Sequence, residues 1–290
     1  MQKYGIILRV CYICILWKPN NMKNRPDLAI SIGTIAKEKF GKELPGFVIR
    51  ALERIFHLDF INTFLTRGFI GTEFCTRCLE YLDVSIDVEG LENVVAPEGT
   101  KLTFASNHPL GGADGVALIS IISDKLGRDV KLMVNDFLMY LKALAPMSIP
   151  INKVGGQSRN LPAQMSEMFA SDSDILIFPS GKCSRKYDGI IQDPKWNKSF
   201  VRMSADSGRW IVPVHFIGQN SKRFYRVDSI CRKLGIKFNF AMMLLPDELY
   251  RAQHKKFKVV FGKPIPPSAL DRSKSPLQLA QEIRELAYSL

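Results

Sequence analysis

From Val84 onward the chain alternates short apolar runs with longer amphipathic ones, and this alternation limits the possible folds more than any other feature. Val84–Val88 alternates with period two. Lys101–Ser106, Val130–Val134, Ser148–Ile151, Ile175–Pro179, Ile211–Phe216 and Phe257–Phe261 are further strand candidates. Helical stretches fall between them at Gly115–Leu126, Phe137–Leu144, Leu161–Ala170 and Trp196–Ser207, and Ser275–Ser289 closes the chain as a helix. Strands that alternate with helices predict an α/β fold, with a largely parallel central sheet and flanking helices.

Before Val84 the texture is different. From Asp27 to about Leu82 apolar residues recur at three- and four-residue steps, as in Phe40, Leu44, Phe47, Val48, Ala51, Leu52, Ile55 and Phe56. Pro45-Gly46 interrupts this run, and a new helix is predicted from Phe47. Arg50 and Arg54 flank its apolar face, a pattern that suits either a membrane-surface helix or an ordinary bundle helix. Tyr4–Trp17 is apolar but interrupted by Arg9, and it is shorter than the ~20 residues that span a bilayer. It also lacks the small-residue cleavage site of a secretory signal. The expected division is 1–21 as an apolar anchor or an artefactual extension upstream of Met22, 22–83 as a helical N-terminal segment, and 84–290 as an α/β domain.

The 290 residues are 46% hydrophobic and carry a net charge of +12. That is enough chain for a sizeable core, and enough charge to favour an acidic partner. No basic run of five, zinc finger or ribonucleoprotein motif is present, so nucleic acid is not the expected partner. Cys11/Cys14 and Cys75/Cys78 have C-x-x-C spacing. The first pair has no nearby His, and the second sits three apart in a helical pattern, so reduced structural thiols are expected rather than a metal site.

Chemistry concentrates in Asn107-His108-Pro109-Leu110-Gly111-Gly112-Ala113-Asp114-Gly115, which follows one strand and precedes a helix. Ligands bind at the carboxyl ends of strands in open α/β sheets. A His there can act as a general base, and an Asp at its other ring nitrogen would fix the tautomer and stabilise the imidazolium. Gly111 and Gly112 would let backbone N–H groups approach a developing oxyanion. A second turn, Phe178-Pro179-Ser180-Gly181-Lys182-Cys183-Ser184-Arg185-Lys186, gathers three cations after another strand and suits an anionic head group. It is neither a P-loop nor a G-x-S-x-G elbow. Ile149–Lys153 ends a strand in Lys153, and Val212-Pro213-Val214-His215 is a buried strand whose His reads as structural.

The order of these four features resembles the glycerolipid acyltransferase superfamily, typified by lysophosphatidic acid acyltransferases. Its blocks are N-H-x-x-x-x-D, a strand ending in Arg or Lys, F-P-E-G-T-R-S, and V-P-V. Here they are matched by Asn107-His108 with Asp114, Ile149–Lys153, Phe178–Arg185 and Val212–Val214, over about residues 84 to 267. Two departures stand out. Five residues rather than four separate His108 from Asp114, and Ser180 and Lys182-Cys183 replace Glu and Thr-Arg. The H-P-L-G-G-x-D-G form and the Lys195-Trp196 that follows look like the bacterial hemolysin-like branch, which includes O-acyltransferases completing ornithine or glycine lipids.

The resemblance implies that His108 and Asp114 catalyse acyl transfer from a thioester to a hydroxyl. Asn107, Gly111, Gly112, Lys153, Ser180, Gly181, Lys182 and Arg185 would bind substrate. It implies no metal or bound cofactor. The donor would be acyl carrier protein or coenzyme A, and the acceptor a lyso-lipid of glycine or ornithine type or a 1-acylglycerol-3-phosphate. The expected location is cytoplasmic and peripheral, on an anionic membrane surface. The rival readings are a lipid hydrolase using His-activated water, or a basic non-enzymatic binding protein on the same scaffold.

Overall fold

A computed structural model describes residues 24–41, 43–135, 140–151, 161–236 and 239–290. The apolar N-terminal stretch with Cys11 and Cys14, the division at residue 21, and Lys153 lie outside these residues.

Four helices come first: α1 (Ile32–Phe40), α2 (Gly46–Ile55), α3 (Leu58–Leu65) and α4 (Gly71–Tyr81). Ser31 caps α1 by accepting from the Thr34 N–H at 3.3 Å, and Gly41 ends it in the left-handed conformation. The α/β part runs β1 (Ser85–Glu89), β2 (Leu102–Ser106), α5 (Ala113–Leu126), β3 (Val130–Asn135), β4 (Ser148–Ile151), α6 (Leu161–Ala170) and β5 (Asp174–Ile177). It continues through the hairpin β6 (Arg185–Tyr187) and β7 (Ile190–Gln192), then α7 (Ser199–Asp206), β8 (Trp210–Ile217), α8 (Lys222–Lys233), α9 (Leu245–Tyr250), β9 (Lys256–Phe261) and α10 (Pro276–Tyr288).

Seven strands form the main sheet in the order β1-β9-β8-β2-β5-β3-β4. Every ladder is parallel except β8–β9, where Val214 faces Phe261. The central strands β2 and β5 are buried at every position, as strands covered on both faces must be. Side chains alternate between the two faces. Leu102, Phe104, Leu176 and Val212 join one core with Ile119 of α5 and with Phe64, Phe74 and Cys78 from α3 and α4. Ala105, Ile175, Ile177 and Ile211 join the opposite core with Trp196, Phe200 and Ile283. The N-terminal helices therefore share a core with the sheet. Cys75 and Cys78 pack inside it, and burial pushes the Cys78 thiol up to about 12.

Three local expectations are adjusted. The helix expected over Trp196–Ser207 begins only at Ser199, because the residues before it are tied to other elements: the Asn197 N–H donates to the Pro179 carbonyl at 3.0 Å and the Trp196 N–H to Gln281 Oε1 at 3.3 Å. The described part of the helix expected over Phe137–Leu144 is a 3-10 turn, Lys142–Met147, with Pro146 inside it. The hairpin, α8 and α9 have no counterpart among the expected elements. The hairpin turn is Asp188-Gly189, both residues with positive φ, which is the Asp-Gly signature of a two-residue hairpin. Among the described residues no helix is long and apolar enough to cross a membrane.

Candidate active site

The carboxyl ends of β8, β2 and β5 lie side by side, and the chain leaves β2 directly into the Asn107–Asp114 turn. Asn107 prolongs the β2–β8 ladder with its side chain. Its Nδ2 donates to the Phe216 carbonyl at 2.9 Å, and its Oδ1 accepts from the Phe216 N–H at 2.6 Å. This fixes the peptide that delivers His108. The His108 N–H donates to Asp193 Oδ1 at 3.1 Å, its carbonyl accepts from the Ser184 N–H at 2.8 Å, and its ring stacks on Phe178 at 3.9 Å.

His108 Nδ1 lies 3.0 Å from Asp114 Oδ2, so the five-residue spacer still closes the pair. Asp114 sits in the first turn of α5, where the helix field favours an anion. Its two oxygens also accept four backbone N–H groups, from Leu110 (2.9 Å), Gly111 (3.3 Å), Gly112 (3.0 Å) and Gly115 (2.9 Å). The N–H groups of Gly111 and Gly112, expected at an oxyanion, are thus bonded to the Asp114 carboxylate. Gly111 has φ +76°, and a Cβ there would lie 2.4 Å from Cys183 Sγ. Only glycine lets the turn fold back this tightly.

Burial works against both charges of the pair, and the pair more than compensates. Desolvation lowers the His108 pKa, but the charge and hydrogen bond of Asp114 carry it above the ordinary histidine value of 6.5. Desolvation raises that of Asp114, and His108 together with the backbone N–H groups brings it below the usual 3.8. An imidazole anchored through Nδ1 leaves Nε2 for a reacting hydroxyl, the arrangement a general base requires.

Asp193 is a buried carboxylate that no motif in the sequence marks. Besides the His108 N–H, it accepts from Ser184 Oγ (2.6 Å) and Trp196 Nε1 (3.1 Å). Its own N–H donates to the Tyr288 hydroxyl at 2.8 Å, and its carbonyl accepts from Arg284 Nη2 at 2.8 Å. The second turn and α10 therefore grip the His108 peptide through Asp193. Burial pushes the Asp193 carboxyl above its ordinary range. No spacing rule marks it, since its partners are scattered along the chain.

His108 opens into a cavity of about 1370 Å³ whose wall is mostly apolar. Drug-sized pockets are typically ~300–1,000 Å³, so this one has room for long lipid tails. Its far wall comes from the N-terminal helices, through Ile32, Ile35, Leu52, Phe56, Phe64 and Phe74. Six of the expected site residues line it: His108, Gly111, Gly112, Gly181, Lys182 and Arg185. Asn107, Asp114 and Ser180 stand behind the wall, and the Ser180 hydroxyl donates to the Lys182 carbonyl at 2.6 Å. Arg185 is only 3% exposed. Its Nε pairs with Asp228 Oδ1 at 2.8 Å, its guanidinium lies 5.2 Å from the Phe224 ring, and its Nη2 is buried without a hydrogen-bond partner. His215 packs its ring against Tyr288 at 5.1 Å, and its buried Nδ1 has no hydrogen-bond partner.

A family profile described as an acyltransferase matches residues 34–290. The chain is 46% identical over 266 residues to a lyso-glycine lipid O-acyltransferase of Phocaeicola vulgatus, covering 90% of this chain and 95% of that protein. It is 43% identical over 266 residues to a lyso-glycine lipid O-acyltransferase of Bacteroides thetaiotaomicron, covering 90% and 97%. Among solved structures it is similar to the 1-acyl-sn-glycerophosphate acyltransferase PlsC of Thermotoga maritima, with a TM-score of 0.47 and 14% identity over 89% of this chain and 91% of that one.

Proposed function

The chain belongs to the acyltransferase family, and on that premise we propose that it moves a fatty acyl group from a thioester onto the hydroxyl of a lyso-glycine lipid, with His108 as general base. The acceptor is carried over from the two relatives. The observation that supports it in this chain is Arg185, which lines the same apolar cavity as the dyad and whose buried Nη2 has no hydrogen-bond partner. A buried, unpaired N–H is costly, and a carboxylate would satisfy it with a charge-assisted bond. A lyso-glycine lipid offers such a carboxylate and a hydrophobic tail for the cavity.

The reaction runs in one displacement. His108 Nε2 takes the proton from the acceptor hydroxyl as its oxygen attacks the thioester carbonyl. The tetrahedral intermediate collapses, the C–S bond breaks, and the imidazolium returns the proton to the leaving thiolate. Asp114 holds the tautomer and stabilises the imidazolium. Arg185 and Lys182 hold the acceptor's carboxylate. The donor is acyl carrier protein or acyl-coenzyme A, both acidic partners for a chain of charge +12. The enzyme works peripherally on the cytoplasmic face of an anionic membrane.

The test offers the purified enzyme lyso-glycine lipid and lysophosphatidic acid in detergent with either donor, and follows ester formation by mass spectrometry. Selective turnover of the glycine lipid is expected. Preference for lysophosphatidic acid would replace the acceptor and leave the dyad standing.

A further inference from the structure

α8 begins at a Ser221 cap and carries two opposed stripes. Phe224, Tyr225 and Asp228 face inward. Lys222, Arg226, Ile230, Lys233 and Leu234 recur at three- and four-residue steps along the outer side. Ile230 is 49% exposed and Leu234, just past the helix end, 70%. The β6–β7 hairpin packs on the inward stripe, where Ile191 joins Phe224 and Tyr225, and Ile190 at its tip is 62% exposed. Arg232 fastens the hairpin to the helix. Its Nη2 donates to the Lys186 carbonyl at 2.8 Å, and its guanidinium lies 4.6 Å from the Tyr187 ring.

Large exposed aliphatic side chains mixed with lysine and arginine are unfavourable in water and well suited to a bilayer interface, where the apolar groups enter the acyl boundary and the cations meet anionic headgroups. Protein interfaces, by contrast, favour aromatic residues and are depleted in lysine. The only acidic residue of α8, Asp228, is buried and paired with Arg185 and Arg232, so nothing acidic on the helix offsets the outer stripe. Lys182 of the second turn and Met242 and Met243 after α8 line the cavity, and Met243 is itself exposed.

We propose that the outer face of α8 forms a docking surface for an anionic lipid bilayer. The proposal rests on the lipid-acceptor reading above. Each basic residue near an anionic surface strengthens binding several-fold, and the aliphatic side chains add to this.

The full-length protein is mixed with phosphatidylglycerol-containing and pure phosphatidylcholine vesicles and sedimented. Preferential binding to the anionic vesicles, weakened by salt, is expected. The variant Arg226→Glu/Leu234→Glu should bind them roughly tenfold or more weakly while keeping wild-type turnover of detergent-dispersed acceptor. The milder Arg226→Gln/Lys233→Gln variant serves if the first fails to fold, with a smaller loss in the same direction. Unchanged vesicle binding in a folded variant, or equal binding of the wild type to both vesicle types, would overturn the proposal. So would a wild-type dimer that these substitutions dissociate while vesicle binding persists, since the face would then belong to a second copy. Lack of wild-type turnover on lyso-glycine lipid in detergent would count against the acceptor instead, whatever the vesicles show.

Discussion

His108–Asp114 closes at 3.0 Å and His57–Asp247 at 2.9 Å, yet only the first is built for chemistry. Asp114 is fully buried and held by four backbone N–H groups. Asp247 is held by side chains instead, pairing with Arg223 (2.8 Å) and Arg251 (2.7 Å) as well as His57. His108 uses Nδ1 for its carboxylate and keeps Nε2 for the cavity. His57 uses Nε2 for its carboxylate and stacks its ring on Tyr250 at 3.8 Å. One pair is a base with a rigid support. The other is a clamp that fastens the α2–α3 junction to α9. The short distance is common to both, so what separates them is which nitrogen is used and what holds the carboxylate.

Substitution should separate the two pairs widely. His108→Ala is expected to lower kcat by roughly 10²–10⁴, the usual worth of a general base, with the fold intact by circular dichroism. A folded His108→Ala enzyme with near wild-type turnover would erase the distinction. Asp193→Asn comes next. It keeps the shape of the side chain but removes the charge and weakens the grip on the His108 peptide, so kcat should fall about 10–100-fold with little change in KM. Because the Asp193 charge also helps hold the His108 proton, the acid limb of the rate profile should move to lower pH. A purely structural Asp193 would lose thermal stability and leave that limb in place. His57→Ala should have the smallest effect on turnover, within about threefold. Loss of the hydrogen bond between the partly exposed His57 and the Asp247 carboxylate should cost ~1–2 kcal/mol, read as a drop of a few degrees in Tm.

The same contrast explains what the sequence reveals. The strands are visible because a buried parallel strand is a short continuous apolar run, and β2, β5 and β8 are such runs. The dyad is visible because both partners lie in one turn, so a local motif contains the whole hydrogen bond. Asp193 and the His57 clamp are invisible, because each depends on residues brought together only by folding. The helical period of residues 27–82 shows that one face must be covered. It does not show that the cover is the wall of a cavity shared with His108. α8 escaped notice because its inward stripe is little more than Phe224 and Tyr225 and its outward stripe is basic. The Ser221 cap and the Asp188-Gly189 turn are the signals that would have found it and the hairpin.

The most direct test of the catalytic pair is the pH dependence of kcat/KM in the wild type and in Asp114→Asn, with detergent-dispersed acceptor. A general base works only when neutral, so the rate falls as pH drops through its pKa. Asp114 holds the His108 proton and raises that pKa, so the wild-type acid limb should lie above 6.5. Removing the carboxylate charge removes what raises it, so in Asp114→Asn the limb should move down as the plateau rate drops. An acid limb at the same pH in both enzymes would contradict the pairing of His108 with Asp114 as the catalytic base.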